Sequence, residues 1–278
     1  MTSSALRAVL GIDAAWTETQ PSGVALAVET ENGWRLAAVE ASYDHFLERA
    51  SGDAPAEDRP RGSKPNAGEL LAAASRICGR RIDLVAVDMP LSRQRVEGRR
   101  DCDNEISSEF GAKGAATHSP SPERPGKISD HLCAEFEANG YRLCTALPAH
   151  GLIEVYPHPA LIEFLKAGYR LEYKAAKASK YWPELSIEKR QSELRLLWAR
   201  IVESMEPRIE GVRAALPPPW AHRPAAHVPG WRLKAYEDKL DAVVCAAVAI
   251  AALHGKAEPY GDEDAAIWVP VGESGRQD

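Results

Sequence analysis

The chain has 278 residues, of which 45% are hydrophobic, 27% charged and 7% aromatic, a balance that excludes a disordered tail and suits one elaborated globular domain over 1–278. A formal net charge of −6 and a pI near 5.8 exclude the broad basic surface by which proteins wrap long duplex nucleic acid. Five cysteines, Cys78, Cys102, Cys133, Cys144 and Cys245, form an odd set without a CxxC pair, which argues against a disulfide framework or a zinc ribbon and for a reducing cytoplasm.

The opening MTSSALRAVLGIDAAW holds an apolar stretch too short to span a bilayer and lacks the pattern of a secretory signal, so neither membrane nor export is expected. Within it, ALRAVLGID reads as a buried strand that delivers Asp13 at its end. GVALAVET and WRLAAVEAS follow as strands around Glu31-Asn32-Gly33, because Asn-Gly tolerates the positive φ angles of tight hairpin turns. These three strands, over about 5–42, predict an antiparallel meander. Residues 50–66 are rich in Ser, Gly, Pro and charge and read as an exposed connection. AGELLAAASRICGR has helical apolar spacing and a glycine stop, and IDLVAVDMP, over about 82–88, is a continuous strand-length run with Asp88 at its end. A strand-helix-strand crossover places this fourth strand parallel to an earlier one.

Residues from about 91 to 149 read as an irregular insertion or lid, with Gly, Ser and Pro gathered in GAKGAATHSPSPERPG and a short helix around DHLCAEFEANG. GLIEVYPHP, over about 152–157, is the fifth strand and contains Glu154. A helical part spans about 159–255: ALIEFLKAG, then SIEKRQSELRLLWARIVESM, the Pro-rich LPPPWAHRP as a linker, and WRLKAYEDKLDAVVCAAVAIAALHG. The second half of that last helix is nearly all apolar and must be buried.

The order predicts an α/β fold of RNase H-like type, with a five-stranded mixed sheet of three antiparallel opening strands and two parallel ones, flanked by helices. In such a sheet the first and fourth strands are neighbours where strand order switches, and ligands bind outside the strand ends at that point. Asp13 and Asp88 would then lie side by side. Asp238 and Asp241, three residues apart, share a helix face and can meet the same ion. Four hard oxygen donors suit Mg²⁺ or Mn²⁺, and two such ions roughly 3.5–4 Å apart support in-line phosphodiester cleavage. The expected activity is therefore that of a metal-dependent nuclease or phosphodiesterase acting on a nucleic acid or nucleotide.

Two resemblances bear on this reading. Gly11-Ile12-Asp13 with Asp238-Lys239-Leu240-Asp241-Ala242-Val243-Val244-Cys245-Ala246 is similar to the opening and last helix of RuvC-type Holliday-junction resolvases, which carry a glutamate at the fourth strand where this chain has Asp88. GIDAAW, VAVDMPLS, GRRDCDNE, IEVYPHPAL, KLDAVVCAAVA and AIWVP resemble, in order along nearly the whole chain, the uncharacterised RNase H-like predicted nucleases grouped as domain of unknown function family 429. That resemblance implies an acidic set of Asp13, Asp88, Glu154 and Asp241, with Arg100 and Asp103 as secondary positions.

Each acid also has a plainer reading, since Asp at a strand end or before an apolar helix is often a turn or cap residue. Asp238 is open to pairing with Lys234 on a solvated face, at i,i+4 spacing. Glu154 alternates with Ile153 and Val155 and faces either the site or solvent. Arg99 and Arg100, in a patch with Arg93 and Arg95, are candidates for substrate phosphate or simply solvate the insertion. His118 and His158 read as surface polarity, outside the catalytic set. Two other functions stay open: a catalytically inactive binding or scaffold protein on the same fold, and a phosphotransferase or ATPase. The latter lacks its GxxxxGK[ST] loop and its internal repeat here.

Overall fold

The first strand, β1 (Ala8–Asp13), is apolar on both faces because helices cover both. Ala8, Leu10 and Ile12 enter one core, whereas Val9 enters the other. β2 (Gly23–Thr30) and β3 (Gly33–Glu40) complete an antiparallel meander, with Gly33 at φ 113° in the turn between them. Two capped helices follow. Ser42 Oγ accepts from His45 N to open α1 (Tyr43–Ala50), and Asn66 Oδ1 accepts from Glu69 N to open α2 (Ala67–Cys78). The computed structural model describes residues 6–52, 58–218 and 228–272; the start of the chain, part of the polar connection at 53–57, and 219–227, which hold most of the Pro-rich linker, lie outside the described residues.

β4 (Leu84–Val87) returns parallel to β1, with Ile12 beside Val87. The stretch after it is less irregular than its composition predicts. It holds α3 (Asp101–Phe110), where the Asp103 carboxylate reaches back to Arg100 N in a capping-box manner, and α4 (Gly126–Ala138), which starts four residues before the expected helix. β5 (Gly151–Val155) lies parallel to β4. The remaining helices are α5 (Pro157–Leu165), with its proline in the first turn, α6 (Ala178–Tyr181), α7 (Ile187–Met205), α8 (Val212–Ala215) and α9 (Gly230–Leu253).

The described residues form a seven-stranded mixed sheet, not the five-stranded one expected, because a hairpin of β6 (Ala257–Gly261) and β7 (Ala266–Pro270) follows α9. The order is β3-β2-β1-β4-β5-β7-β6, with β7 parallel to β5 and β6 antiparallel on the edge. These strands are short, and Pro259 is tolerated in β6 because an edge strand leaves one row of backbone groups unpaired. α5, α7 and α9 pack on one face of the sheet, and α1, α2 and α4 on the other; α3 packs on β6 and β7. Among the described residues, no helix is long and apolar enough to cross a membrane.

The closest approach of helix to sheet is made by glycines. A Cβ on Gly11 would lie 2.2 Å from Ala242 O and 2.4 Å from Ala246 N, and one on Gly23 would lie 2.0 Å from Asp238 O. With no side chain there, the backbone of α9 rests directly on β1 and β2, which lowers its acidic first half onto the end of β1.

Candidate functional site

Asp13 closes β1 and Asp88 follows β4 by one residue, and Asp88 N donates to Ile12 O at 2.8 Å, which holds the two strand ends together. The alternation that buries Val9, Leu84 and Ala86 beneath α9 turns Asp13 and Asp88 to that same face. From above, α9 contributes Glu237, Asp238 and Asp241, all buried. Asp13 and Asp88 are half-buried, so the cluster opens to solvent on the strand side.

Burial, with the acids' mutual repulsion, raises the pKa values of Asp13, Asp88 and Asp238. Burial is the main cause at Asp88, which is pushed well above the usual carboxylate range, and the charges of Asp13, Asp241 and Glu154 add to it while Lys174 opposes. Burial likewise raises Asp238 well above that range, with Asp13 adding to the shift and Lys234 opposing it. Asp13 is raised by burial, with Asp241 adding to the shift and Lys234 and Lys174 opposing it.

Two ammonium groups enter the cluster. Lys174 Nζ lies 2.5 Å from Asp241 Oδ2 and 3.6 Å from Glu237 Oε1, and Lys234 Nζ pairs with Asp238 Oδ1 and stands 3.5 Å from Glu237 Oε1. Burial works against a charged Lys174, but Asp241, Tyr173, Glu237 and Asp13 outweigh it and raise its pKa well above that of a free lysine. Tyr173 Oη donates to Asp241 Oδ1 at 2.6 Å, so both oxygens of Asp241 are held. Asp238 differs: its Oδ2 is sealed from solvent and no donor reaches it.

Asp13, Asp88, Asp238 and Asp241 lie near enough for their charges to act on one another. Asp238 does pair with Lys234, but in a buried setting and not on the solvated face foreseen for that pairing. Glu154 faces neither the cluster nor solvent. Ile153 and Val155 join the core under α9, Leu152 joins the opposite core, and Glu154 turns to that opposite side. There it is buried and accepts from Leu91 N at 2.7 Å and from Arg100 Nη1 and Nη2 at 2.6 and 2.7 Å.

Arg100 is fully engaged, since it also holds Asp103 through two 3.0 Å bonds and donates to Leu91 O. Arg99 straps residues beyond α3 to that helix through Asn104, Ser107, Ser119 and Asp103 O. Arg100 is thus an internal tie between Asp103 and Glu154, whereas Arg99 is exposed and, among the described residues, bonds only neutral oxygens. Arg93 and Arg95 instead line a cavity of about 640 Å³ together with Arg142.

His158 corrects another expectation: it is buried at 5% exposure, edge-on to Tyr156 and Tyr173, with Nδ1 unpartnered. Burial, then the nearby charges of Lys174 and Arg170, pushes its pKa well below that of a free histidine, which keeps it neutral. Sequence reasoning missed Tyr173 and Lys174, which lie in an irregular stretch where a buried lysine looks like any surface lysine. Glu237 could have been found, because Glu237 and Asp241 share a face at i,i+4 on a helix about to turn apolar.

Among the described residues, no three His, Cys, Asp or Glu side chains stand ready-arranged to hold a metal ion; the two lysines supply the positive charge. In donor chemistry the residues fit a divalent cation, since all four aspartates offer hard oxygens and Asp238 Oδ2 lacks a partner.

No curated protein and no solved structure matches the chain. A family model matches residues 11–266, from the glycine beneath α9 to the first residue of β7, and so takes in all four aspartates. The chain belongs to the family described as Protein of unknown function (DUF429).

Proposed function

We propose that the cluster of Asp13, Asp88, Asp238 and Asp241 is the centre of a divalent-metal-dependent phosphodiesterase acting on a nucleic acid or nucleotide, carried on an RNase H-like sheet. The strand order β3-β2-β1-β4-β5, with β2 antiparallel and β1 beside β4, supports that reading of the fold. The observation that carries the reading of the site is the buried Oδ2 of Asp238, which no donor reaches; Asp13, Asp88 and Asp238 all have pKa values raised by burial and mutual repulsion. Such a group gains most from a cation.

Mg²⁺ or Mn²⁺ held by the four aspartates would supply Lewis acidity for water and phosphate. The chain's own residues do the rest. Tyr173 and Lys174 fix Asp241, Gly11 lets α9 approach, and the half-buried Asp13 and Asp88 face the open side from which a substrate arrives. The ammonium groups of Lys174 and Lys234 offset the acids and are attractive to an incoming phosphate.

One observation favours the alternative, a catalytically silent binding protein: those same ammonium groups already neutralise the acids. Cleavage of labelled single-stranded and duplex RNA and DNA, an RNA–DNA hybrid, a four-way junction and a cyclic dinucleotide, with Mn²⁺ or Mg²⁺, separates the two. Metal-dependent cleavage that disappears in Asp88→Asn is expected; no cleavage of any member, or equal cleavage by the variant, would refute the phosphodiesterase.

A further inference from the structure

One side of α9 carries Trp231, Lys234, Asp238 and Asp241 at 3-4-3 spacing, which sets them in a row along the helix. Asp238 and Asp241 belong to the acid cluster, and Lys234 pairs with Asp238. Trp231 and Lys234 line a cavity of about 910 Å³ next to that cluster.

The facing wall is made by residues 18–21, which follow β1, and by the segment 58–62. The two segments are pressed together. A Cβ on Gly62 would lie 2.3 Å from Thr19 C and 2.5 Å from Gln20 N, so the wall is tightly packed. Arg59 and Arg61 stand on it, exposed, with no ion-pair partner among the described residues. Glu18 and Asp58 also line the cavity, and Asp58 is paired with His45 at 3.0 Å. Arg232 places its guanidinium 5.2 Å from the centre of the Trp231 ring, which adds another cation beside the indole.

We propose that this cavity takes an unpaired nucleotide of a single-stranded nucleic acid, its base against Trp231 and its phosphates against Arg59 and Arg61. An indole offers a stacking surface to any base, and paired arginines track a phosphate backbone without reading sequence. A base inside a duplex is already stacked between its neighbours and does not reach the indole. The volume lies in the range of about 300–1,000 Å³ typical of clefts that enclose small ligands. Lys234 continues the row of cations toward Asp238, so a strand held here runs on to the acids. A chain with net charge −6 can bind nucleic acid this way because the positive charge is confined to one cavity.

The inference rests on the reading of the acids as the cleavage centre, since it places the bound nucleotide beside the bond to be cut. Its test reads binding without cleavage: fluorescence anisotropy of a labelled octathymidylate, and of the same strand annealed to its complement, in buffer with EDTA. The wild type should prefer the single strand. Trp231→Ala should weaken single-strand binding about tenfold and Trp231→Phe restore most of it. Arg59→Ala with Arg61→Ala should flatten the salt dependence by roughly 1.4 in log–log slope. Wild-type affinity in Trp231→Ala, or equal affinity for the duplex, overturns the proposal. Metal-dependent cleavage with binding indifferent to Trp231 sinks this inference alone, whereas Trp231-dependent binding without cleavage in any metal sinks the cleavage reading alone.

Discussion

Asp88 shows what it costs to bury one carboxylate among others. Its pKa is raised mainly by burial, so its contribution to stability is present below the unfolded value and is lost as pH rises through the higher folded value. An asparagine in its place would carry no charge at any pH. Asp88→Asn should therefore melt above the wild type at about pH 8 in metal-free buffer, by on the order of 1 kcal/mol given its partial exposure. The gap should close as pH falls toward about 4. Thermal melts across that range check it, and a variant less stable than wild type throughout would contradict the repulsion described. Arg100 behaves oppositely. It is buried between Asp103 and Glu154, so Arg100→Ala leaves two carboxylates unpaired and should cost about 3–5 kcal/mol in denaturant unfolding. A near-neutral result would return Arg100 to the surface role first considered for it. Asp13, Asp88 and Asp241 were legible because each ends a strand or opens an apolar helix run. Glu154 was misread because alternation gives two faces and does not say which one holds an arginine.

At the level of elements, α9 against β1 and β2 decides whether a site exists at all. Gly11→Ala would place a methyl group 2.2 Å from Ala242 O, against backbone that cannot rotate aside. We expect a loss of about 3 kcal/mol or more in chemical unfolding. The same displacement lifts Asp238 and Asp241 from Asp13, so any cleavage should fall with it. Unchanged stability in Gly11→Ala would mean that the helix does not rest on the strand. Both partners were visible in the sequence as a strand and a buried helix, but their contact was not, because a glycine inside an apolar run does not announce what lies over it. The insertion was misjudged for a related reason. Beyond its local Arg100–Asp103 capping contact, α3 is held by side chains packed on β6 and β7, long-range support that local composition does not carry.

Across the whole molecule, the meander, the crossover to β4 and the parallel β5 were all legible, since hairpin chemistry and continuous apolar runs are local features. The closing hairpin was not: β6 and β7 are five residues each, one contains a proline, and AIWVP becomes a strand only because β5 offers it a parallel edge. Charge is also organised at this scale. The net charge is negative, yet lysines stand among the buried acids and arginines line the cavity beside them, so positive charge is local and not broad. The central claim is that the four aspartates form one cation site, and calorimetric titration of the metal-free protein with Mn²⁺, wild type against Asp88→Asn, tests it most directly. The account predicts saturable binding by the wild type that strengthens with pH as protons leave the acids, and its loss in the variant. No binding, or binding of equal strength in Asp88→Asn, would contradict it.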